Sequence, residues 1–174
     1  KSRIEQKPHR IHERYGLQHI TPYQHQELDT WRNSFKGIEC QIFDSNLYLF
    51  GGIDDIWFNN ITNELIVVDY KSQANKLPVT PEYYLAGTYH QGYKIQLEIY
   101  AYILKKMGFA VSDTGYFYVC NANKFIDGFH GSLLFEETLV PYELQLDWIE
   151  QKLEEMIEVL NSANIPESHF ACEN

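Results

Sequence analysis

The sequence has little cysteine, few basic residues and no long hydrophobic run. Its three cysteines, Cys40, Cys120 and Cys172, cannot all pair in disulfides. No apolar run approaches the roughly 20 residues that a membrane-spanning helix needs, and the first residues lack the basic and apolar pattern of a secretory leader. These absences exclude an all-disulfide scaffold and count against a membrane partner. We therefore expect a cytoplasmic protein with reduced thiols.

Acidic side chains outnumber basic ones by 24 to 14, which gives a formal net charge of -10. Binding to a phosphate backbone depends on basic surface that releases counterions, so the charge excludes a general nucleic-acid coat protein. It does not exclude an enzyme whose acidic residues hold cations that then meet the phosphate. The aromatic content is 15%, with 13 tyrosines. Core packing and stacking on unpaired bases both remain open as explanations for these rings.

Changes in polar and apolar composition along the sequence divide the 174 residues into three segments. Residues 1–36 are expected to form a solvated polar arm with a short helix over 22–35. Residues 37–165 are expected to form one packed domain, and residues 166–174 a tail. Because the first residue is Lys and not Met, we expect that this sequence is part of a longer chain. Within the domain the pattern predicts a three-stranded meander over 38–68, a long connection over 73–90, a helix over 93–107, strands over 115–120 and 132–139, and a last helix over 142–160.

The most informative pattern is GGID at residues 51–54, followed by DYK at residues 69–71. Residues two apart on a strand share a face, so Asp69 and Lys71 are predicted to point the same way. Four aliphatic residues precede Asp69, and burying charge at the end of such a strand is costly unless it is compensated. A bound metal ion would compensate it. The two glycines before Asp54 would let a phosphate approach the backbone.

Magnesium takes near-octahedral oxygen ligands and often only one or two carboxylates. The side chains of Asp54 and Asp69 with the backbone carbonyl of Tyr70 match that demand. Lys71 would then orient or deprotonate the attacking water, or offset charge on the phosphorus. Two plainer alternatives stay open: Asp54 as a turn residue, and Asp69 with Lys71 as an ordinary ion pair. The joint occurrence of GGID and DYK on neighbouring predicted strands favours metal-dependent cutting of nucleic acid over these alternatives.

A third element follows at residues 96–100, with the sequence QLEIY. Gln96 and Tyr100 are four residues apart on the predicted helix and therefore lie on one face. Both side chains can donate hydrogen bonds. The pair is weak evidence alone and gains weight from its position on a helix expected to pack beside the sheet.

In order, GGID, DYK and QLEIY resemble the motifs of the RecB-like branch of the PD-(D/E)XK nuclease superfamily, over residues 37–107. The resemblance implies an α/β fold with a restriction-endonuclease-like core, in which α-helices flank a mixed central β-sheet. It implies Mg²⁺ or Mn²⁺ at Asp54 and Asp69 and catalysis by Lys71. It also implies that Gln96 and Tyr100 help to position DNA, with ends or single strands as the expected substrate.

Members of this family often carry an upstream His or Glu that completes the metal site. His12 and His25 are candidates by residue type, although surface positions suit them better, and Glu39 is a further candidate with the same alternative. Relatives resembling CRISPR-associated RecB-like exonucleases also hold a [4Fe–4S] cluster on four thiolates. Cys172 is therefore a candidate cluster ligand in the full-length protein only, since the other two cysteines fall in predicted strands.

The sequence thus predicts a metal-dependent DNA nuclease, an exonuclease of repair, recombination or mobile-element biology. A catalytically inactive module that binds nucleic acid or a protein partner is the alternative. A hydrolase of another phosphodiester is a third hypothesis.

Overall fold

The computed structural model describes residues 5, 7–125 and 131–168, and Cys172 lies outside these residues. The strands are β1 Ile20–Pro22, β2 Ile38–Gln41, β3 Tyr48–Gly51, β4 Asp55–Asn59, β5 Glu64–Gln73, β6 Thr114–Ala122 and β7 Phe135–Glu143. The helices are α1 Arg10–Arg14, α2 Leu28–Trp31, α3 Pro81–Ala86, α4 Gln91–Lys106 and α5 Trp148–Asn161, with a 3₁₀ turn at Thr88–His90 between α3 and α4. None of the described helices is long and apolar enough to cross a membrane.

Five strands form a mixed sheet in the order β1-β4-β5-β6-β7. Only β5 and β6 run parallel, while the other neighbours are antiparallel. A parallel pair needs a long crossover, and α3 and α4 lie within the connection between these two strands. The predicted α/β class with a mixed sheet and flanking helices is confirmed. The predicted three-stranded meander is wrong in part, because β2 and β3 pair with each other in a separate two-stranded sheet.

The N-terminal segment packs on the sheet instead of forming a solvated arm. Strand β1 pairs with β4, and Ile11 and Ile20 join the core cluster that contains Trp57 and Val68. The expected helix over 22–35 shrinks to α2. The solvated-arm interpretation failed because single apolar residues separated by polar ones show no local period, and a three-residue edge strand is too short to show one.

Helix α4 covers the opposite face of the central strands and packs against β5 and β2. It matches the predicted helix closely. Leu97, Ala101 and Leu104 are fully buried, and Leu97 lies so close to Gly115 of β6 that a Cβ there would come within 2.8 Å of Leu97 Cδ2. This tight contact sets how closely α4 packs on the sheet beside Val67 of β5, and so the position of the side chains that α4 carries.

Two boundaries differ from the sequence prediction. Strand β7 runs to Glu143 and includes Pro141, which an edge strand tolerates because its outer N–H groups need no ladder partner. The described residues from Gln145 onward belong to a separate compact unit, in which α5 starts at Trp148 and not near residue 142. Ile149 and Leu153 of α5 are buried, whereas Met156 and Leu160 of the predicted apolar stripe are exposed.

Candidate active site

The two motif aspartates come together where β4 begins and β5 continues beyond it. Asp55, the first residue of β4, pairs with Val68, so the last residues of β5 have no β4 partner. Asp54 occupies the gap, and its Oδ2 accepts a hydrogen bond of 2.8 Å from the backbone N–H of Tyr70. The carboxylate of Asp54 therefore lies beside the chain between Asp69 and Lys71.

Asp69 is 1% exposed, and among the described residues neither of its carboxylate oxygens has a hydrogen-bond partner. Lys71 Nζ lies 2.7 Å from Asp69 Oδ2 as an ion pair. Burial raises the pKa of Asp69 to about 6; Lys71 opposes this rise and the charge of Asp54 adds to it. The site thus holds a buried carboxyl group whose Oδ2 is paired with Lys71 and whose Oδ1 has no hydrogen-bond partner among the described residues.

Lys71 is held in place by groups from α4. Its Nζ donates to Gln96 Oε1 at 3.2 Å and lies 4.3 Å from the centre of the Tyr93 ring. Gln96 Nε2 in turn donates to the hydroxyl of Tyr100 at 2.8 Å. The predicted shared face of Gln96 and Tyr100 is present, and it is directed at Lys71.

The glycines before Asp54 serve close packing of protein atoms. A Cβ on Gly51 would lie 2.6 Å from the Tyr100 ring, and one on Gly52 would lie 2.8 Å from the Cα of Ser34. The sequence predicted that a phosphate would approach the backbone at these two glycines. Protein atoms fill that space at both positions. Gly51 instead allows the Tyr100 ring to approach the end of β3, and so helps to set the hydrogen-bonded row from Tyr100 to Lys71.

The donor set fits a magnesium-type ion. The described residues contain no group of three or more His, Cys, Asp and Glu side chains that could hold a metal. A tetrahedral zinc site, which needs three or four such ligands, is therefore not present among them. Two carboxylates suffice for Mg²⁺, which keeps several waters. The buried Asp69 carboxyl beside Asp54, with an Oδ1 that has no hydrogen-bond partner among the described residues, is the feature expected of a site whose ion is held partly by protein and partly by water.

The upstream candidates do not reach this site. His12 is fully buried and meets the Trp57 ring edge-on at 4.2 Å, on the sheet face opposite Asp69; burial lowers its pKa to about 4. His25 stacks on Trp31 at 4.3 Å. Glu39 is an exposed residue of β2. The surface position expected for His12 is wrong, because its aromatic neighbours bury it, whereas His25 is half-buried beside Trp31.

Three contributors went unnoticed in the sequence. Arg32 Nε donates to the backbone carbonyl of Asp54 at 2.8 Å, which ties the segment after α2 to the site. Tyr93 lies three residues before Gln96, and that spacing could have revealed it. Tyr84 is 2% exposed and its hydroxyl has no hydrogen-bond partner among the described residues. Burial first, and then the charge of Asp69, raise the pKa of Tyr84.

Comparison with known proteins gives one positive result. The family model of the PD-(D/E)XK nuclease superfamily matches residues 3–174. No curated protein and no solved structure matches the chain. The five-stranded mixed sheet with flanking helices is consistent with the restriction-endonuclease-like fold of that family. On a match that spans nearly the whole sequence, the chain belongs to the PD-(D/E)XK nuclease superfamily.

Proposed function

We propose that this protein is a cytoplasmic Mg²⁺- or Mn²⁺-dependent deoxyribonuclease of the RecB-like branch. It hydrolyses phosphodiester bonds at DNA ends or in single strands as an exonuclease of repair, recombination or mobile-element biology. One observation carries the proposal: the buried Asp69 carboxyl lies beside Asp54, pairs through Oδ2 with Lys71, and keeps an Oδ1 without a hydrogen-bond partner among the described residues. Membership in a superfamily made up mostly of metal-dependent nucleases supports it.

Asp54 and Asp69 hold the ion in this proposal, and the carbonyl of Tyr70 supplies a third ligand. Tyr70 donates its N–H toward Asp54, and the N–H and C=O of one strand residue face the same side. That geometry supports the carbonyl assignment. A bound Mg²⁺ or Mn²⁺ makes a bound water more acidic and offsets phosphate charge. Asp69 must be ionised to bind it, because a protonated carboxyl is a poor ligand.

Lys71 acts on the attacking water and on the charge that builds up at phosphorus. Its ammonium group is fixed between Asp69 and Gln96, so little reorganisation is needed when the phosphate arrives. Tyr100 is only 7% exposed. We therefore assign DNA positioning chiefly to Gln96, with Tyr100 holding the amide of Gln96 in place.

The direct test is cleavage of labelled linear single-stranded, linear duplex and circular single-stranded DNA, with Mg²⁺, with Mn²⁺ and with EDTA. Asp54→Asn, Asp69→Asn and Lys71→Ala should each lower the cleavage rate at least about a hundredfold. Matched controls are Asp113→Asn, whose side chain is 88% exposed, and Lys94→Ala on α4. Parental activity in Lys71→Ala would reject the assigned role, and cutting of the circle would reject a strict exonuclease.

A catalytically inactive module that binds nucleic acid or a protein partner is the second candidate. The net charge of -10 and the lack of a third acidic or histidine ligand among the described residues favour it. DNA binding without cleavage in either metal would support this candidate. Cleavage of nucleotide phosphodiesters but not of DNA would support the third hypothesis, a different phosphodiesterase.

The cluster prediction for Cys172 remains a prediction for the full-length protein. Cys40 and Cys120 are free and half-buried within β2 and β6, as expected of structural cysteines. A [4Fe–4S] cluster would therefore need Cys172 together with cysteines from elsewhere in the longer chain. Iron content and visible absorbance of the full-length protein, compared with Cys172→Ser, test this.

A further inference from the structure

A cavity of about 560 Å³ lies directly beside the proposed catalytic lysine. Lys71 forms part of its wall, and most of the remaining wall comes from α3, the 3₁₀ turn and the start of α4. This is within the size range of sites for small organic ligands. The cavity is not needed to hold the ion, because Asp54 and Asp69 are not among its lining residues.

The inner wall of the cavity is a row of stacked rings. Tyr84 and His90 stack at 4.0 Å between centres and 19° between planes, and His90 and Tyr93 stack at 5.6 Å and 20°. His90 Nδ1 lies 2.6 Å from the backbone carbonyl of Tyr84, which fixes the imidazole in the row. Lys71 caps the end of this row over Tyr93. One end of the row of rings therefore lies at the ammonium group of the proposed catalytic lysine.

Two further tyrosines lie at the outer wall with their rings in solvent. Tyr83 is 65% and Tyr89 is 90% exposed, although both line the cavity. Their position suits a flat partner that stacks on them, since base–aromatic stacking is strong and independent of sequence.

Polar groups complete the lining. Ser72, Gln73 and Asn75 lie along the β5 side of the cavity, where they can pair with the edge of a heteroaromatic ring. Aromatic faces with a few hydrogen-bonding groups at one edge are the chemistry that recognises a nucleobase.

We propose that this cavity is a subsite for one unpaired nucleobase of the DNA strand that is being cut. The inference rests on the proposed nuclease function and narrows its substrate. A strand whose phosphate meets Asp69 and Lys71 would place a neighbouring base in the cavity. A base inside an intact duplex cannot enter without leaving its stack. The cavity thus selects single strands and frayed ends.

The test combines an abasic scan of the substrate with removal of the two exposed rings. Single-stranded oligonucleotides carry one abasic site at successive positions around the cleaved bond. The protein variants are Tyr83→Ala with Tyr89→Ala, the same pair changed to Phe, and Tyr48→Ala. Tyr48 is a control because it is 56% exposed on β3 and outside the cavity lining.

We expect one position at which the abasic site lowers kcat/KM about tenfold in the parent. The double alanine variant should lower kcat/KM by a similar factor on intact DNA and should lose sensitivity to the abasic site, because the two changes remove one contact. The double Phe variant and Tyr48→Ala should behave as the parent does. Equal sensitivity at all positions, or unchanged sensitivity in the alanine variant, would overturn the subsite.

A free nucleotide could use the same chemistry, so a separate arm measures inhibition by mononucleotides. Inhibition that the alanine variant abolishes, without any abasic effect, would assign the cavity to a free nucleotide and would refute the strand model. If the parent cuts no DNA, the proposed function fails. The same scan is then read by fluorescence anisotropy of binding, and a position-specific loss there would still support the subsite.

Discussion

The ammonium nitrogen of Lys71 lies 2.7 Å from Oδ2 of Asp69, yet Asp69 keeps both oxygens free of hydrogen bonds among the described residues. Burial of the Asp69 carboxylate is compensated on one side only, by Lys71, and Lys71 is itself held from the other side by Gln96 and Tyr93. Such an arrangement costs stability when no cation is bound, and this cost can be measured.

Asp69→Asn should stabilise the metal-free protein at neutral pH. The folded-state pKa of about 6 lies above the usual aspartate value of 3.8, so the folded protein binds the proton more tightly than the unfolded chain does. The stability from this group is therefore full below about pH 4 and is lost as pH rises through about 6. We expect on the order of 2 kcal/mol more unfolding free energy for the variant at pH 7.5.

The measurement is urea unfolding in EDTA at pH 4.5 and 7.5. The parent should gain less stability than Asp69→Asn on going to the higher pH. Asp113→Asn, on an exposed loop, should follow the parent at both pH values. A variant less stable than the parent at pH 7.5 would show that the buried carboxylate is satisfied within the protein.

Divalent cations should stabilise the parent protein and should stabilise Asp69→Asn only weakly. A ligand that binds only the folded state adds about 2.7 kcal/mol at a hundred times its dissociation constant. The melting temperature in Mg²⁺ and Mn²⁺ series reports this directly and needs no DNA. Asp54→Asn should respond weakly, since one carboxylate remains. An equal shift in all three proteins would place the ion elsewhere.

Gly51→Ala should disturb the site through Tyr100. The new methyl group would meet the Tyr100 ring at 2.6 Å, and overpacking of this kind costs about 1–3 kcal/mol. Cleavage should fall with it, because Tyr100 holds Gln96 and Gln96 holds Lys71. Gly92→Ala in α4 is the matched control, with no atom within 4 Å of the new Cβ and an expected gain of about 0.5 kcal/mol. Thermal melts and cleavage rates measure both effects.

The buried His12 should make the protein sensitive to mild acid. Its pKa falls from 6.5 to about 4 because burial disfavours the charged ring. The unfolded chain then takes up a proton that the folded protein refuses, so stability is full above about pH 6.5 and is lost as pH falls toward 4. This group alone accounts for up to about 3 kcal/mol. The free energy of unfolding, measured with urea at several pH values between 7 and 4, should fall less steeply with decreasing pH in His12→Gln than in the parent protein.

The site motifs were readable in the sequence because their chemistry is local. The aliphatic run before Asp69 predicted β5, and the two-residue period put Asp69 and Lys71 on one face, as observed. Helical spacing put Gln96 and Tyr100 together, and they are hydrogen-bonded. Thr80 caps α3 and Pro81 is its first residue; this start signal stood in the sequence within the predicted connection.

The failures concern pairings between distant segments. Nothing local showed that β1 would reach β4, or that His12 would lie against Trp57. The purpose of Gly51 was also misjudged, because a glycine signals a close approach but not the atom that approaches. In each case the deciding partner lies more than 30 residues away along the chain.

By itself the sequence determined the class of chemistry: two carboxylates and a lysine at strand spacing, with a polar pair at helical spacing, since backbone periods fix which side chains share a face. Tertiary structure alone decided that Asp69 would be buried with an Oδ1 that has no hydrogen-bond partner among the described residues, that Gly51 would admit Tyr100, and that an aromatic cavity would open beside Lys71. Burial and cavities depend on what packs from other segments, and that information is absent from any single stretch of chain.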